Sequence, residues 1–320
     1  MKKLYLKNSG IPVLFAVLFV SAFFTSCQKK EDGLRFMVFG DMPYHLPDDY
    51  ERLDNVVRSL NQTDPEFTVF VGDLKAGSVP CSDEALQEMR DYFEKFTHPL
   101  IYTPGDNDWT DCHREKAGAY DPEERLVKLR EIFFDGKQSL GTPAMPLITQ
   151  NTYEGYEKFV ENAIWEKEAI TFATIHVIGS NNNLKLDSTA NNEEFYERDA
   201  ANLFWLEEAF DQAIANNSEG VVLFIHAALN YTNSESSGFR NFTQNLREQV
   251  INYQKPVLLV YGDHHRFQID KPLRGNDGSV LKNFTSLMVF GDSDMHAVEV
   301  RVNKDYESLF EIRQHFVEGN

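Results

Sequence analysis

The chain is short of positive charge. Its 31 Lys and Arg face 50 Asp and Glu, a formal net charge of −19 at pH 7. Such an excess repels polyphosphate backbones and argues against a nucleic-acid binder held by phosphate contacts. Internal repeats and low-complexity runs are also missing, which sets aside solenoids and compositionally biased tracts. No Gly-rich nucleotide loop and no Gly-x-Ser-x-Gly nucleophile elbow is present, so neither chemistry is expected. Cysteine is limited to three residues. The apolar run from Ile11 to Phe24 is too short for a comfortable membrane span. What remains is ordinary: 320 residues, 42% hydrophobic and 13% aromatic, enough for one large domain or two small ones.

One pattern stands out against this background. Apolar runs of strand character repeatedly end on an Asp or a His. Met37-Val38-Phe39 runs into Gly40-Asp41, and Val69-Phe70-Val71 into Gly72-Asp73. Pro99 to Tyr102 runs into Thr103-Pro104-Gly105-Asp106-Asn107-Asp108-Trp109. Val221 to Ile225 reaches His226, and Val257 to Tyr261 reaches Gly262-Asp263-His264-His265. Ligand and catalytic groups in open α/β sheets gather at the carboxyl ends of strands.

The first residues read as an address. Lys2, Lys3 and Lys7 precede the apolar run, and Phe24-Thr25-Ser26-Cys27 resembles a bacterial lipobox with Phe24 in place of Leu. The resemblance implies a signal peptide over 1–26, a lipidated Cys27, a tether over 27–33, and a lipid-anchored place in the bacterial cell envelope. Membrane contact is expected through that anchor alone. A single domain is expected over 34–316.

Hydrophobic spacing predicts helices over 48–60, 82–96, 122–134, 193–216 and 239–253. Asp48 or Asp49 and Ser82 are the candidate N-caps, and Pro122 suits a first turn. A strand is expected over 169–178. Residues 135–165, rich in Pro, Gly and Thr, read as an irregular excursion over the site. The tail carries strands over 286–290, 295–302 and 308–312. The opening βαβαβ implies parallel strands. With the strand-rich tail it predicts an α/β fold of two stacked mixed sheets flanked by helices.

Asp41, Asp73, Asp106, His226, Asp263 and His265 are all oxygen or imidazole donors. Such a set can hold one or two divalent cations. Their order and spacing resemble the calcineurin-like metallophosphoesterases, from about residue 34 to at least 300. That family places Asp-x-His first, then Gly-Asp, Gly-Asn-His-Asp/Glu, a lone His, and Gly-His-x-His. The resemblance implies an α-β-β-α sandwich and hydrolysis of a small phosphate ester by metal-activated water. It assigns a first metal to Asp41, Asp73 and His265. A second falls to Asp73, Asp106, His226 and Asp263, with Asp73 bridging. Asn107 and Asp108 occupy its catalytic motif.

Three departures carry consequences. Pro43 stands at the first motif's His, leaving Tyr44 or His45 as a possible extra ligand. Asp106 and Asp263 replace an Asn and a His. Asn107 replaces the histidine that protonates the leaving group or stabilises transition-state charge, and an amide cannot be a general acid at neutral pH. Four carboxylates favour hard cations, Mn²⁺, Mg²⁺, Ca²⁺ or iron, over zinc. His113, Arg114 and Arg266 lie close enough in sequence to meet substrate oxygens, or else are surface residues. The alternative function is a degenerate module that binds metal and a ligand or partner without turnover.

His98 and His176 read as packed, and His264 as a possible neighbour of the ligands. Cys81 and Cys112 remain once Cys27 is lipidated, an even count in an exported protein. Each follows a motif Asp by a few residues, on strands that should be neighbours. A disulfide pinning both ligand loops is expected, the alternative being two buried thiols.

Overall fold

The computed structural model describes Met1 and residues 33–320, except Asp135 and Thr232. The leader, most of the tether and Cys27 lie outside the described residues. The opening βαβαβ is formed by β1 (Arg35–Phe39), α1 (Asp49–Thr63), β2 (Phe67–Phe70), α2 (Asp83–Phe93) and β3 (Leu100–Tyr102). Then come α3 (Pro122–Phe133), the short pair β4 (Ile148–Thr149) and β5 (Ala163–Lys167), β6 (Ile170–Thr174), and a single turn, α4 (Gly179–Asn182). The second half holds α5 (Glu193–Ala215), β7 (Gly220–Phe224), α6 (Arg240–Tyr253), β8 (Val257–Tyr261) and β9 (Gln268–Asp270). β10 (Phe284–Met288), β11 (Ala297–Val302) and β12 (Phe310–His315) complete the chain.

Two sheets result, in the orders β12-β11-β1-β2-β3 and β4-β5-β6-β7-β8-β10-β9. β1, β2 and β3 run parallel in the first. β6, β7, β8 and β10 run parallel in the second. The tail divides: β10 joins the second sheet, while β11 and β12 return to the first.

Alternation along each strand builds three apolar layers. Phe36, Val38, Phe67 and Val69 face Phe172, Val222, Phe224 and Leu258 between the sheets. Phe36 stacks on Phe67 at 5.1 Å and meets Phe172 edge-on at 5.5 Å, which locks sheet to sheet. Met37 and Phe39 point the other way, onto Leu53, Val56 and Leu60 of α1. Val221 and Leu223 likewise face Trp205, Leu206 and Phe210 of α5. The architecture is two stacked mixed sheets with helices outside.

Local signals explain most helix ends. Ser82 accepts from the Ala85 N–H, and Asp121 accepts from the N–H groups of Glu123 and Glu124 with Pro122 in the first turn. Asp48 makes no cap bond. Asp49 instead turns back and accepts from the N–H groups of Tyr44 and His45.

Two expectations need correction. The strand over 169–178 is regular only to Thr174. Beyond it, Val177 O accepts from both His226 N and Ala227 N, which breaks the ladder. The excursion over 135–165 is not irregular throughout and follows the sheet margins. Leu140 pairs with Leu100, and β4 and β5 extend the second sheet. Burial of Ala163, Ile164 and Trp165 against the core drives that pairing.

Candidate metal centre

Parallel strands in both sheets bring their carboxyl ends to one place. Asp41 follows β1, Asp73 follows β2, Asp106 follows β3, and His226 follows β7. Asp41, Asp73, Asp263 and His265 all have left-handed backbones, with φ of 54°, 60°, 75° and 58°. Such values are uncommon outside glycine and cluster where geometry serves function. Two glycines let the side chains approach. A Cβ on Gly105 would lie 2.2 Å from Asp73 Oδ1, and one on Gly262 would lie 2.2 Å from Asp41 Oδ2. Only glycine leaves those volumes empty.

Two clusters form. Asp41, Asp73 and His265 each offer one atom, all within 4.8 Å of one another. Asp73, Asp106 and His226 do the same. Asp73 belongs to both. His226 Nδ1 lies 2.9 Å from the Val71 carbonyl, so the proton sits there and Nε2 faces the carboxylates. Nε2 is 3.0 Å from Asp106 Oδ1 and 3.4 Å from Asp73 Oδ1.

The charge balance is poor without a cation. Burial raises Asp41 to about 7, with neighbouring Asp263 and Asp106 adding to it and His226 opposing. Burial also drives Asp73 well above the usual carboxylate range. Burial would lower His226, but Asp73, Asp106 and Asp41 together raise it well above its ordinary value. Burial acts to raise Asp106, yet bonds from His226 and Ser180 hold it at about 2. Dications at the two clusters would relieve this crowding, so the donor set fits them.

The surrounding shell holds Asp73 firmly. Asn107 donates to it from its backbone N–H and its amide, at 3.0 and 2.6 Å. Tyr44 donates its hydroxyl to Asp73 Oδ2 at 2.5 Å and accepts from the Asn107 amide at 3.0 Å. The Tyr44 ring also packs edge-on against His265 at 4.8 Å. Asp108 is fully buried. It accepts from the N–H groups of Asp73, Leu74 and Gly105 and from the Tyr102 hydroxyl. With both oxygens so used, Asp108 positions the two ligand loops and does not face a substrate.

Cys81 and Cys112 form a disulfide with Cα atoms 5.7 Å apart. Their sulfurs sit 3.8 and 3.9 Å from the Asn107 carbonyl oxygen. Lys75 donates to that same oxygen at 2.7 Å.

Fold comparison places this geometry. The structure aligns with a dimetal phosphatase from Danio rerio, covering 90% of this chain and 100% of that one, with a TM-score of 0.54 at 10% identity. It also aligns with a purple acid phosphatase from yellow lupin seeds, with a TM-score of 0.52 at 15% identity. That match covers 88% of this chain and 52% of the lupin chain. No protein-family model and no curated protein matches the sequence. The fold is that of the calcineurin-like phosphoesterases.

Within this phosphoesterase fold the other sequence candidates lie further out. Asp263 falls outside both clusters. Its Oδ2 accepts from Ala228 N at 2.8 Å, and its Oδ1, like the Asp106 carboxylate, borders Gly179. His45 is exposed and pairs with Asp292 at 2.6 Å, so of the two spare candidates only Tyr44 reaches the clusters. Arg114 pairs with Asp111 at 2.5 Å, and its guanidinium, like the Asn107 amide oxygen, borders Gly77. His113 is exposed, with Nδ1 at 2.8 Å from the Thr110 carbonyl, and Arg266 and His264 are exposed. His98 and His176 are buried, bonded to Thr68 and to Glu161.

Four residues around the donor clusters escaped sequence reasoning. Ser180 donates to Asp106 at 2.6 Å and to Asp111 at 3.1 Å. Asp111 is raised to about 6 by burial and by Asp106. Burial lowers Lys75. Nothing in sequence marks these three as neighbours of the ligands. Asp292 did carry a signal: Phe290-Gly291-Asp292 follows β10 in the pattern of the other loops, and its N–H donates to the Asp41 carbonyl at 2.8 Å.

Proposed function

We propose that this protein hydrolyses a small phosphate ester with two divalent cations held side by side where the two sheets meet. The observation that carries the reading is the sharing of Asp73 by two donor clusters. Asp41, Asp73 and His265 would hold one cation, and Asp73, Asp106 and His226 the other, with Asp263 beside the second. Cations bound there would grip phosphate oxygens and lower the pKa of a water between them. Neither donor cluster contains a thiol, which suits Mn²⁺, Mg²⁺, Ca²⁺ or iron better than zinc.

The chain's own groups then orient. The Nδ1 proton of His226, held by Val71, keeps Nε2 toward the second cluster. Asn107 and Tyr44 fix both oxygens of Asp73. Of the three predicted phosphate contacts, Arg114 borders Gly77, as does the Asn107 amide. A nucleophilic side chain is not part of the reading, so no covalent enzyme intermediate is expected.

A second reading rests on Asn107. Its amide nitrogen is committed to Asp73 and Tyr44, and it carries no proton to donate as an acid. On that reading the protein keeps the cations but recognises a ligand without turnover. Location is proposed with the same chemistry: a lipid anchor on Cys27 in the bacterial envelope. The lipobox-like stretch supports it, as does the Cys81–Cys112 disulfide, which suits an oxidising compartment.

Metal analysis of the purified protein, followed by a panel of phosphomonoesters and phosphodiesters, tests the proposal. Two equivalents of dication with metal-dependent turnover are expected. Bound metal without turnover selects the second reading, and failure to bind any dication overturns both.

A further inference from the structure

Ser180 opens a turn that costs the chain backbone strain. Ser180, Asn181, Asn182 and Asn183 follow one another with φ of 48°, 55°, 54° and 62°. Four consecutive left-handed residues without a glycine are strongly disfavoured and persist only where the surroundings hold them. Here each asparagine is fastened. Asn181 donates to the Ser236 carbonyl at 3.1 Å and accepts from Gly238 N at 2.9 Å. Asn182 donates to the Gly238 carbonyl at 3.1 Å and accepts from Arg198 at 2.6 Å. Asn183 donates to Glu194 at 2.7 Å.

Arg198 of α5 is the anchor. It is buried, donates to the carbonyls of Asn182 and His176, both at 3.0 Å, and pairs with Glu194 at 2.6 Å. The same buried network reaches the loop after β3. The Arg198 guanidinium lies over the Trp109 ring at 5.5 Å, and the Trp109 indole N–H donates to His176 Nε2 at 3.1 Å. His176 Nδ1 is 2.7 Å from Glu161, which pairs with Arg130 of α3 at 2.6 Å. Turn and ligand loop are thus locked together from behind. A Cβ on Gly179 would lie 2.8 Å from both Asp106 oxygens, so glycine lets the turn come this close to the ligand.

What the turn brings to the metal centre is one hydroxyl. Ser180 Oγ donates to Asp106 Oδ2 at 2.6 Å and reaches Asp111 Oδ1 at 3.1 Å. Asp106 Oδ1 is left facing His226 Nε2 at 3.0 Å, and both residues belong to the second cluster. We infer that Ser180 is a positioning residue for the second cation: its hydroxyl fixes the Asp106 carboxylate with Oδ1 toward that cation, and the strained turn serves to place the hydroxyl. The inference rests on the two-cation reading and adds to it a residue that is not itself a ligand. Such outer hydrogen bonds orient a ligand, and losing one typically costs about 10–100-fold in metal affinity.

Ser180→Ala and Ser180→Gly separate positioning from stability. Both remove the hydroxyl. Alanine keeps the strain at a φ of 48°, whereas glycine adopts that backbone freely. In urea denaturation of the metal-free full chains, Ser180→Gly should therefore be more stable than Ser180→Ala. Calorimetric titration with Mn²⁺ should nonetheless show the two variants weakened alike, by roughly 10–100-fold at the second cation, with the first unchanged. The second binding event is the one that His226→Ala removes. Unchanged binding in Ser180→Gly, a loss confined to Ser180→Ala, or an equal loss at both cations overturns the inference and leaves the two-cation reading standing. A wild type that binds no Mn²⁺ overturns that reading, and the inference with it.

Discussion

Asn107 grips both oxygens of Asp73, with its backbone N–H on Oδ1 at 3.0 Å and its amide on Oδ2 at 2.6 Å. One residue thus orients the carboxylate that two donor clusters share. Oδ1 keeps a further lone pair for a cation, whereas Oδ2 also accepts the Tyr44 hydroxyl, which a cation on that oxygen would displace. The grip also means that the side chain at position 107 supports the centre and has no proton to give.

Asp73→Asn should therefore lose both cations, since it removes the shared ligand. His226→Ala should lose mainly the second. Metal content per chain, measured after dialysis, separates the two results. Unchanged metal content in Asp73→Asn would show that the centre has been assigned wrongly.

Leaving-group dependence reads the consequence of Asn107. General acid catalysis is typically worth ~10²–10⁴-fold. Aryl phosphates, which leave without a proton, should react faster than alkyl phosphates by about that factor. Equal rates would mean that another group supplies the proton.

Lys75 is buried, 3% exposed, with its ammonium on the Asn107 carbonyl. Lys75→Met should leave that carbonyl without its charged donor, at a cost of roughly 1.5–3 kcal/mol. Urea denaturation measures the loss. Metal affinity should fall as well, because Asn107 then holds Asp73 less firmly, and titration calorimetry reads that separately.

The Cys81–Cys112 disulfide closes a loop with a sequence separation of 31 residues. Replacing both cysteines with serine should lower stability by roughly 3–4 kcal/mol in the chain-entropy model. Oxidised and reduced samples compared in denaturant give the same quantity. Alkylation of two free thiols in protein taken from its native compartment would contradict the pairing.

Stability without metal should depend on pH in a defined direction. Burial raises Asp41 from 3.8 to about 7, and burial and Asp106 raise Asp111 from 3.8 to about 6. The folded chain therefore binds protons over a range where the unfolded chain has released them. Their contribution is full below about pH 4 and is lost as pH rises toward 7. His226, raised above its ordinary value, acts in the same sense above that range, while His265, lowered by burial, works against it. Urea midpoints of the chelated protein should fall between pH 4.5 and 7. Saturating Mn²⁺ should remove the trend, and a midpoint that rises without metal would contradict the crowding of carboxylates.

Much of the architecture was legible in the residues. Period-two and period-3.6 apolar patterns report which face of each element is buried, and burial is what pairs α1, α2, α5 and α6 with their sheets. Strand-ending motifs such as Gly72-Asp73 and Gly105-Asp106 report a local backbone need, because a sharp turn at a strand end selects glycine whatever lies elsewhere. Five of the six donors read from such strand ends, Asp41, Asp73, Asp106, His226 and His265, meet in the two clusters, and Asp263 lies outside them. Tertiary structure alone decided the rest. It drew Ser180, Asp111 and Lys75 to the ligands, gave Asp108 to the loops, and turned His45 out to Asp292 while Tyr44 turned in. It also split the β-rich tail between two sheets. Local sequence encodes dihedral preference and the burial of a face, whereas which polar groups meet depends on how two sheets stack. That stacking is fixed by the summed packing of Phe36, Phe67, Phe172 and Phe224, far in sequence from the atoms it brings together.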